Sequence, residues 1–309
     1  MTKLYIVIPC YNEQEVLPIT AGILIKKVKN MMQNGSISED SRIVLVDDGS
    51  KDETWTTIEK LHNENKIFIG CKLSCNKGHQ NALLAGLNYS LGKADAVISM
   101  DADLQDDINA IDEFVRCYED GYDIVYGVRS SRKKDTFFKK TTALMYYKLL
   151  EKLGCDIVNN HADYRLMSAR ALEALFEFKE VNMFLRGIVP MVGYRSCNVY
   201  YERNERAAGK SKYPLKKMLM FAVDGITSLS IKPIRLIATL GVIGTILCFA
   251  VLICLLISGM CSAESLLGVL VGTVGSVQLI SVGVIGEYIG KIYMESKARP
   301  RFIIDKVIE

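Results

Sequence analysis

The chain has 309 residues, enough for one large or two ordinary domains, and 50% of them are hydrophobic, a high share for a wholly soluble protein. Its formal charge of +3 says little by itself and gives no reason to expect a nucleic-acid partner. Nine cysteines without a metal-type Cys-x-x-Cys spacing, and three scattered histidines, point away from a zinc constellation and suit buried free thiols in a reducing compartment.

Through the first half, short apolar runs alternate with longer helical patterns. Leu4 to Ile8, Ile43 to Val46, Ile67 to Leu73, Ala96 to Met100 and Ile124 to Val128 read as strands, with helices at 14–32, 53–64, 79–91 and 107–120 between them. Met1 to Cys10 contains Pro9 and lacks a long apolar core, so it reads as a strand and not as a signal peptide. Strands separated by helices imply βαβ units and an α/β fold with a largely parallel, doubly wound sheet, in which ligands bind outside the carboxyl ends of the strands.

The polar residues with ligand chemistry follow the strands four times: Pro9-Cys10-Tyr11-Asn12-Glu13, Asp47-Asp48-Gly49-Ser50, Asn76-Lys77-Gly78 and Asp101-Ala102-Asp103-Leu104-Gln105. Any one of them also fits a capped strand-to-helix turn or a solvated loop; four on one sheet edge are hard to attribute to capping. The last delivers two carboxylates and an amide oxygen together. Hard cations such as Mg²⁺ or Mn²⁺ take oxygen ligands, typically one or two carboxylates plus substrate phosphates.

Beyond the fifth strand, Arg129 and Arg132 open a stretch to Lys152 with eight Lys or Arg against two acidic residues, and Arg203 to Lys217 carries six against one. Such runs fit solvated helix faces or anionic headgroups of a bilayer equally well. Asp163 follows a polar segment and reads either as a turn cap or as a functional carboxylate. Arg203, Arg206, Gly209, Lys210, Ser211 and Lys212 combine phosphate-gripping cations with a small flexible residue, which suits a loop closing on a diphosphate or a basic membrane-proximal linker. Residues 137–153 and 214–233 have patterns suited to amphipathic helices lying on a bilayer or packed on the core.

Leu236 to Ile257 and Leu266 to Gly286 contain no charged residue, and each would make a helix of roughly 31 to 33 Å, enough to cross a hydrocarbon core. The short Gly259 to Ser265 connection implies a hairpin, with spans at about 235–258 and 266–289 inside a 234–290 unit. Lys232 and Arg235 before it and Lys291, Lys297, Arg299 and Arg301 after it place both termini and the preceding 1–213 domain on the cytoplasmic side of the cell membrane, with 291–309 a cytoplasmic tail. Gly268-x-x-x-Gly272 and Gly286-x-x-x-Gly290 allow close helix approach within the hairpin or between subunits, and a homo-oligomer is expected.

Over the first ~230 residues the chain resembles the family 2 glycosyltransferases of the GT-A nucleotide-sugar fold. The resemblance rests on Ile8-Pro9-x-Tyr11-Asn12-Glu13, Val46-Asp47-Asp48-Gly49-Ser50, Asn76-x-Gly78 and Asp101-x-Asp103-x-Gln105. With the terminal hairpin and Arg206-x-x-Gly209-x-Ser211-Lys212, it is similar to the branch that glycosylates polyprenyl phosphates. The resemblance implies a nucleoside pocket lined by Pro9, Tyr11, Glu13 and Asp48, with Asn12, Lys77, Gly78 and Ala102 also in the nucleotide-sugar site and Asp101 near the ribose. It implies a divalent cation, Mg²⁺ or Mn²⁺, on Asp103 and Gln105. Arg129, with Arg132, Arg203 and Ser211, would meet the acceptor phosphate, Asp163 would lie beside the acceptor, and Arg206 and Lys212 would cover the diphosphate. The expected activity is inverting transfer of a sugar from a nucleotide donor, UDP-glucose or another UDP-hexose, to undecaprenyl phosphate. The rivals are a processive polysaccharide synthase, whose Gln-x-x-Arg-Trp motif is missing because Trp55 is the only tryptophan, and an inactive membrane adaptor.

Overall fold

The computed structural model describes residues 1–130, 161–180, 184–202 and 263–309, together with the isolated positions 237, 239 and 243. In chain order its elements are β1 (Leu4–Cys10), α1 (Leu17–Gln33), β2 (Arg42–Asp47), α2 (Thr54–Glu64), β3 (Phe68–Leu73), α3 (His79–Ser90), β4 (Ala96–Ser99), α4 (Ala110–Glu119) and β5 (Ile124–Arg129). There follow β6 (His161–Ser168), α5 (Ala169–Glu177), α6 (Leu185–Met191), β7 (Ser196–Tyr201), α7 (Ala263–Ser296) and β8 (Ile304–Ile308).

The strands form one 8-stranded sheet in the order β7-β5-β6-β4-β1-β2-β3-β8. β1 pairs in parallel with both β2 and β4, and β2 with β3, as expected of βαβ units. β5 does not lie against β4. β6 inserts between them, antiparallel to both, while β7 joins the far side of β5 in parallel, so the sheet is mixed. The reversed strand has a functional consequence: its first residues reach the edge where the parallel strands end.

Period-two alternation sends β-strand side chains to two apolar layers. Leu4, Ile6, Ile8, Ile43 and Leu45 pack with Leu17, Leu24 and Met31 of α1, Ile58 of α2 and Phe114 of α4. Tyr5, Val7, Val44 and Val46 face α3, α5 and α6 through Ala82, Leu83, Leu172 and Ile188. α1 buries Leu17, Ala21, Leu24, Val28 and Met31, a helical stripe that faces the sheet. It begins three residues later than expected, because the Glu13 carbonyl closes a turn with the Val16 and Leu17 amides at 3.1 and 2.9 Å. α4 likewise starts at Ala110, after a turn in which the Asp107 carboxylate accepts from the Asn109 amide at 2.9 Å.

α7 is 34 residues long, about 51 Å at 1.5 Å per residue. Its stretch Thr273–Ser296 is the one helix among the described residues long and apolar enough to cross a membrane, and none of that stretch is buried. The expected span at 266–289 falls within α7. The expected span at 235–258, and the amphipathic segments at 137–153 and 214–233, lie outside the described residues apart from the three isolated positions. The expected tail from 291 onward takes another form: α7 runs to Ser296 and Ile304–Ile308 joins the sheet as β8, antiparallel to β3. Lys306 pairs with Glu59 at 2.8 Å and stands over the Trp55 ring, and the Arg301 guanidinium donates to the Phe178 carbonyl at 2.6 Å.

Candidate active site

The site lies at the carboxyl edge of the parallel strands, where the chain order reverses between β1 and β4. Such a switch point splays the two following loops apart and opens a crevice. Three of the turns are stitched to one another. The Asn12 amide donates to Ser50 Oγ at 3.0 Å, and the Lys51 amide donates back to Asn12 Oδ1 at 2.9 Å. The Glu13 amide donates to Thr54 Oγ1 at 2.9 Å. Asn12 takes φ of 52°, a left-handed conformation that asparagine tolerates better than most residues.

Asp48 is buried, and its two oxygens accept from the Lys77 and Gly78 amides at 2.7 and 2.9 Å. Burial raises its carboxyl pKa against the lowering effect of those two amides. Expected to line the nucleoside pocket, Asp48 is thus placed to tie the turn after β2 to the turn after β3. Gly49, at φ 63°, is required there: a Cβ would stand 2.6 Å from the Asn76 amide nitrogen. Pro9 is buried within β1, whereas Tyr11 and Glu13 are half-buried and Lys77 and Gly78 are exposed.

In the turn after β4, burial alternates: Ala102, Leu104 and Asp106 point inward, while Asp101, Asp103 and Gln105 are half-buried on the other side. Thr20 Oγ1 holds the Ala102 carbonyl at 2.6 Å, and the Gln105 amide donates to Asp103 Oδ1 at 3.1 Å. Leu104, at φ 57°, supplies the bend that brings Asp103 and Gln105 into one turn. Two half-buried oxygen donors fit a hard divalent cation that completes its shell with water and a diphosphate. Among the described residues no group of three or more His, Cys, Asp or Glu could hold a metal ion.

β6, running antiparallel, brings Asp163 beside the end of β4, where the Ser99 hydroxyl donates to the Asp163 carbonyl at 2.6 Å. Its carboxylate is gripped by two guanidinium groups. Arg165 Nη2 donates to Oδ1 at 2.7 Å, and Arg186 of α6 donates to Oδ1 and Oδ2 at 3.3 and 3.0 Å. Burial pushes the Asp163 pKa up, but Arg186 and Arg165 outweigh it and hold the carboxyl well below the ordinary range. His79, first residue of α3, lies with Nε2 3.4 Å from Asp101 and 4.0 Å from Asp163. Burial pushes the Asp101 carboxyl up to about 6; His79 lowers it, and Asp106, Asp163 and Asp103 add to the rise. One edge thus holds a carboxylate kept ionised next to one that protonates readily.

Arg129, at the end of β5, reaches the same edge and pairs with buried Asp106 at 3.2 Å. The structure therefore brings together Pro9, Tyr11, Asn12, Glu13, Asp48, Lys77, Gly78, Asp101, Ala102, Asp103, Gln105, Asp163 and Arg129. Arg132, Arg203, Arg206, Ser211 and Lys212 lie outside the described residues. Sequence reasoning missed His79, Asp106, Arg165, Arg186 and Tyr201. Arg165 stands two residues after Asp163, hence on the same strand face. Arg186 is the one charge in the run Phe184 to Val189, and that isolation was its only signal.

Residues 5–176, which contain the strand-end carboxylates of this mixed α/β sheet, match the family described as Glycosyl transferase family 2. The chain belongs to that family and is a glycosyltransferase. It is 50% identical over 306 residues to "Uncharacterized glycosyltransferase YkoT" of Bacillus subtilis (strain 168), covering 98% of this chain and 91% of that protein. It is 36% identical over 308 residues to "Bactoprenol glucosyl transferase" of Shigella phage SfX, covering 98% of each. Among solved structures, the mannosyltransferase PcManGT of Pyrobaculum calidifontis in complex with GDP-Man and Mn²⁺ aligns with a TM-score of 0.46 and 15% identity, over 94% of this chain and 84% of that one.

Proposed function

We propose that the protein transfers a hexose, with inversion, from a UDP-sugar to a polyprenyl phosphate at the cytoplasmic face of a membrane. The observation that carries this reading is that Asp101, Asp103, Gln105, Asp163 and Arg129 stand at one edge of one sheet, which supports carboxylates and an amide for a donor's cation and a guanidinium for an anionic acceptor. Full-length similarity to bactoprenol glucosyl transferases supports the acceptor class, and the exposed apolar length of α7 supports a membrane site.

In this mechanism the acceptor phosphate oxygen attacks the anomeric carbon as the bond to the nucleotide diphosphate breaks on the opposite face. A phosphate monoester has a second pKa of about 6, so near neutral pH its oxygen is already anionic and no side chain has to remove a proton. Asp163, held ionised by two arginines, serves to orient sugar or acceptor. A divalent cation held by Asp103 and Gln105 would supply Lewis-acid neutralisation of the charge developing on the departing diphosphate. By the family resemblance Arg206 and Lys212 would contribute cations to that diphosphate, and the residues around Asp48 would wall the nucleoside.

The test incubates purified protein with undecaprenyl phosphate and a panel of labelled nucleotide sugars, with and without EDTA, followed by lipid extraction. Label enters the lipid from one UDP-sugar and is lost with EDTA or with Asp103→Ala. No labelled lipid from any donor would overturn the reading; labelling that survives both chelator and Asp103→Ala would remove the metal from it.

A further inference from the structure

Asp106 directly follows the last residue of the metal-type turn, yet it faces away from that turn into the protein and is 2% exposed. Its Oδ1 accepts from Arg129 Nη2 at 3.2 Å and from the Tyr201 hydroxyl at 2.5 Å, joining the turn after β4 to the ends of β5 and β7. The adjoining residue is tied to the same wall, since the Tyr164 hydroxyl donates to the Asp107 carbonyl at 3.0 Å. The Tyr164 ring packs edge-on against Tyr201 at 5.5 Å and tilted against Phe114 at 4.6 Å. Gly127 leaves the space for this closeness: a Cβ there would stand 2.8 Å from the Tyr164 carbonyl oxygen and 3.0 Å from the Tyr201 ring.

Asp106 Oδ2 and Arg129 Nε are both buried without a hydrogen-bond partner among the described residues. A buried ion pair is by itself weak evidence for stability. What it supplies is geometry. The Arg129 side chain keeps 26% of its surface exposed at the site edge, while its other side is fixed to a residue next to Gln105.

We propose that Asp106 is a positioning residue that yokes the turn bearing Asp103 and Gln105 to Arg129, with Tyr201 fixing the carboxylate between them. The inference rests on the proposed function for the identity of the two halves it joins: Arg129 meets the acceptor's phosphate, and the turn carries the donor's diphosphate. The yoke sets the cation for the incoming phosphate in register with the centre that holds the leaving diphosphate, so a substitution at Asp106 acts on acceptor use through Arg129.

The test compares wild type, Asp106→Asn, Arg129→Gln, the double variant and Tyr201→Phe by urea unfolding, Mn²⁺ titration and steady-state kinetics with undecaprenyl phosphate and the active nucleotide sugar. Asp106→Asn keeps an acceptor oxygen for Tyr201 and removes only the charge. It raises the acceptor KM ~10-fold and leaves the donor KM within ~2-fold; Arg129→Gln does the same, and the double variant is no worse than the worse single one, the signature of coupled residues. Tyr201→Phe gives a smaller shift of the same kind. Losses that multiply in the double variant, a donor KM that rises as much as the acceptor KM, or losses that merely follow the urea midpoint would each overturn the yoke. If wild type moves no sugar to undecaprenyl phosphate, the proposed function fails, and the yoke is then read from Mn²⁺ affinity in the presence of UDP. There Asp106→Asn, Arg129→Gln and the double variant share one shift if the turn and Arg129 are linked, whereas additive shifts or none overturn it.

Discussion

Asp163 shows how far a residue's neighbours decide its chemistry. A carboxylate beside a reacting centre invites the role of base, but a base needs a pKa near the working pH, and Arg186 and Arg165 hold this one well below the ordinary carboxylate range against the effect of burial. A depressed folded-state pKa stabilises the protein above the unfolded value of about 3.9, and that stability is lost as pH falls through the folded value. Asp123, whose pKa is lowered first by its hydrogen bond from Arg170, acts in the same direction. The contribution of both groups is therefore flat from pH 5 to 8 and declines below about pH 4, which urea midpoints across pH 3 to 8 measure. Asp163→Asn leaves Arg165, 3% exposed, without its counter-charge, and lowers stability toward the low end of the ~3–5 kcal/mol typical of a broken buried pair, since the amide oxygen still accepts from the guanidinium groups. In kinetics, Asp163→Asn is expected to lower kcat but keep an acid limb of the rate profile near pH 6, where both a phosphate-monoester acceptor and Asp101 would titrate. A limb that vanished with Asp163→Asn would restore a base.

At the scale of elements, close approach of helix and strand decides what can be changed. α3 packs on β1 and β2 over Gly86, where a Cβ would collide with Val7 and stand 2.7 Å from Val46 Cγ2. Gly86→Ala would gain helix propensity, but the overpacking outweighs it, for a net loss of roughly 1–3 kcal/mol read as a lowered urea midpoint. Gly70 of β3 gives the same warning across the β3–β8 ladder, because a Cβ there would stand 2.7 Å from Ile308 Cγ1 and from Ile58 Cγ2. Gly70→Ala thus strains β8 as well as α2, and its effect distinguishes a β8 that belongs to the folded sheet from one that does not. If β8 is integral, Gly70→Ala costs a similar ~1–3 kcal/mol and accelerates proteolysis after Ser296; an unchanged digestion pattern would count against it.

For the whole molecule, the exposed apolar surface of α7 is the property that must be covered by something. Leu267, Val271, Ile280, Val282, Ile289 and Ile292 are each more than half exposed, and a run of exposed apolar side chains marks an interaction surface. A bilayer satisfies it without further contacts, since a helix already pairs its own backbone groups. The protein is therefore expected in the membrane fraction and to stay there after alkaline carbonate washing, with detergent needed for release; recovery in the carbonate supernatant would contradict a spanning α7. β8 would couple such an anchor to the site, because the chain leaving α7 returns to the sheet at β3, whose following turn supplies the amides that hold Asp48.

The sequence by itself determined the class of the protein: short periodic runs define the strands and helices, and strand-end motifs such as Asp101-x-Asp103-x-Gln105 are contiguous, so their place at one sheet edge follows from the βαβ rule. It also carried Asp163 and Arg129 as candidates. Only the tertiary structure decided which groups those candidates meet. The antiparallel insertion of β6, the β8 strand at the opposite edge, the Arg186 contact with Asp163 and the Asp106–Arg129–Tyr201 link join residues far apart in the chain, 95 positions for Tyr201 and Asp106 and 247 for Lys306 of β8 and Glu59. No local periodicity encodes such pairings. They arise from strand register and from which buried charges find each other once the sheet has closed, and that is where the ionisation and orientation of the site are set.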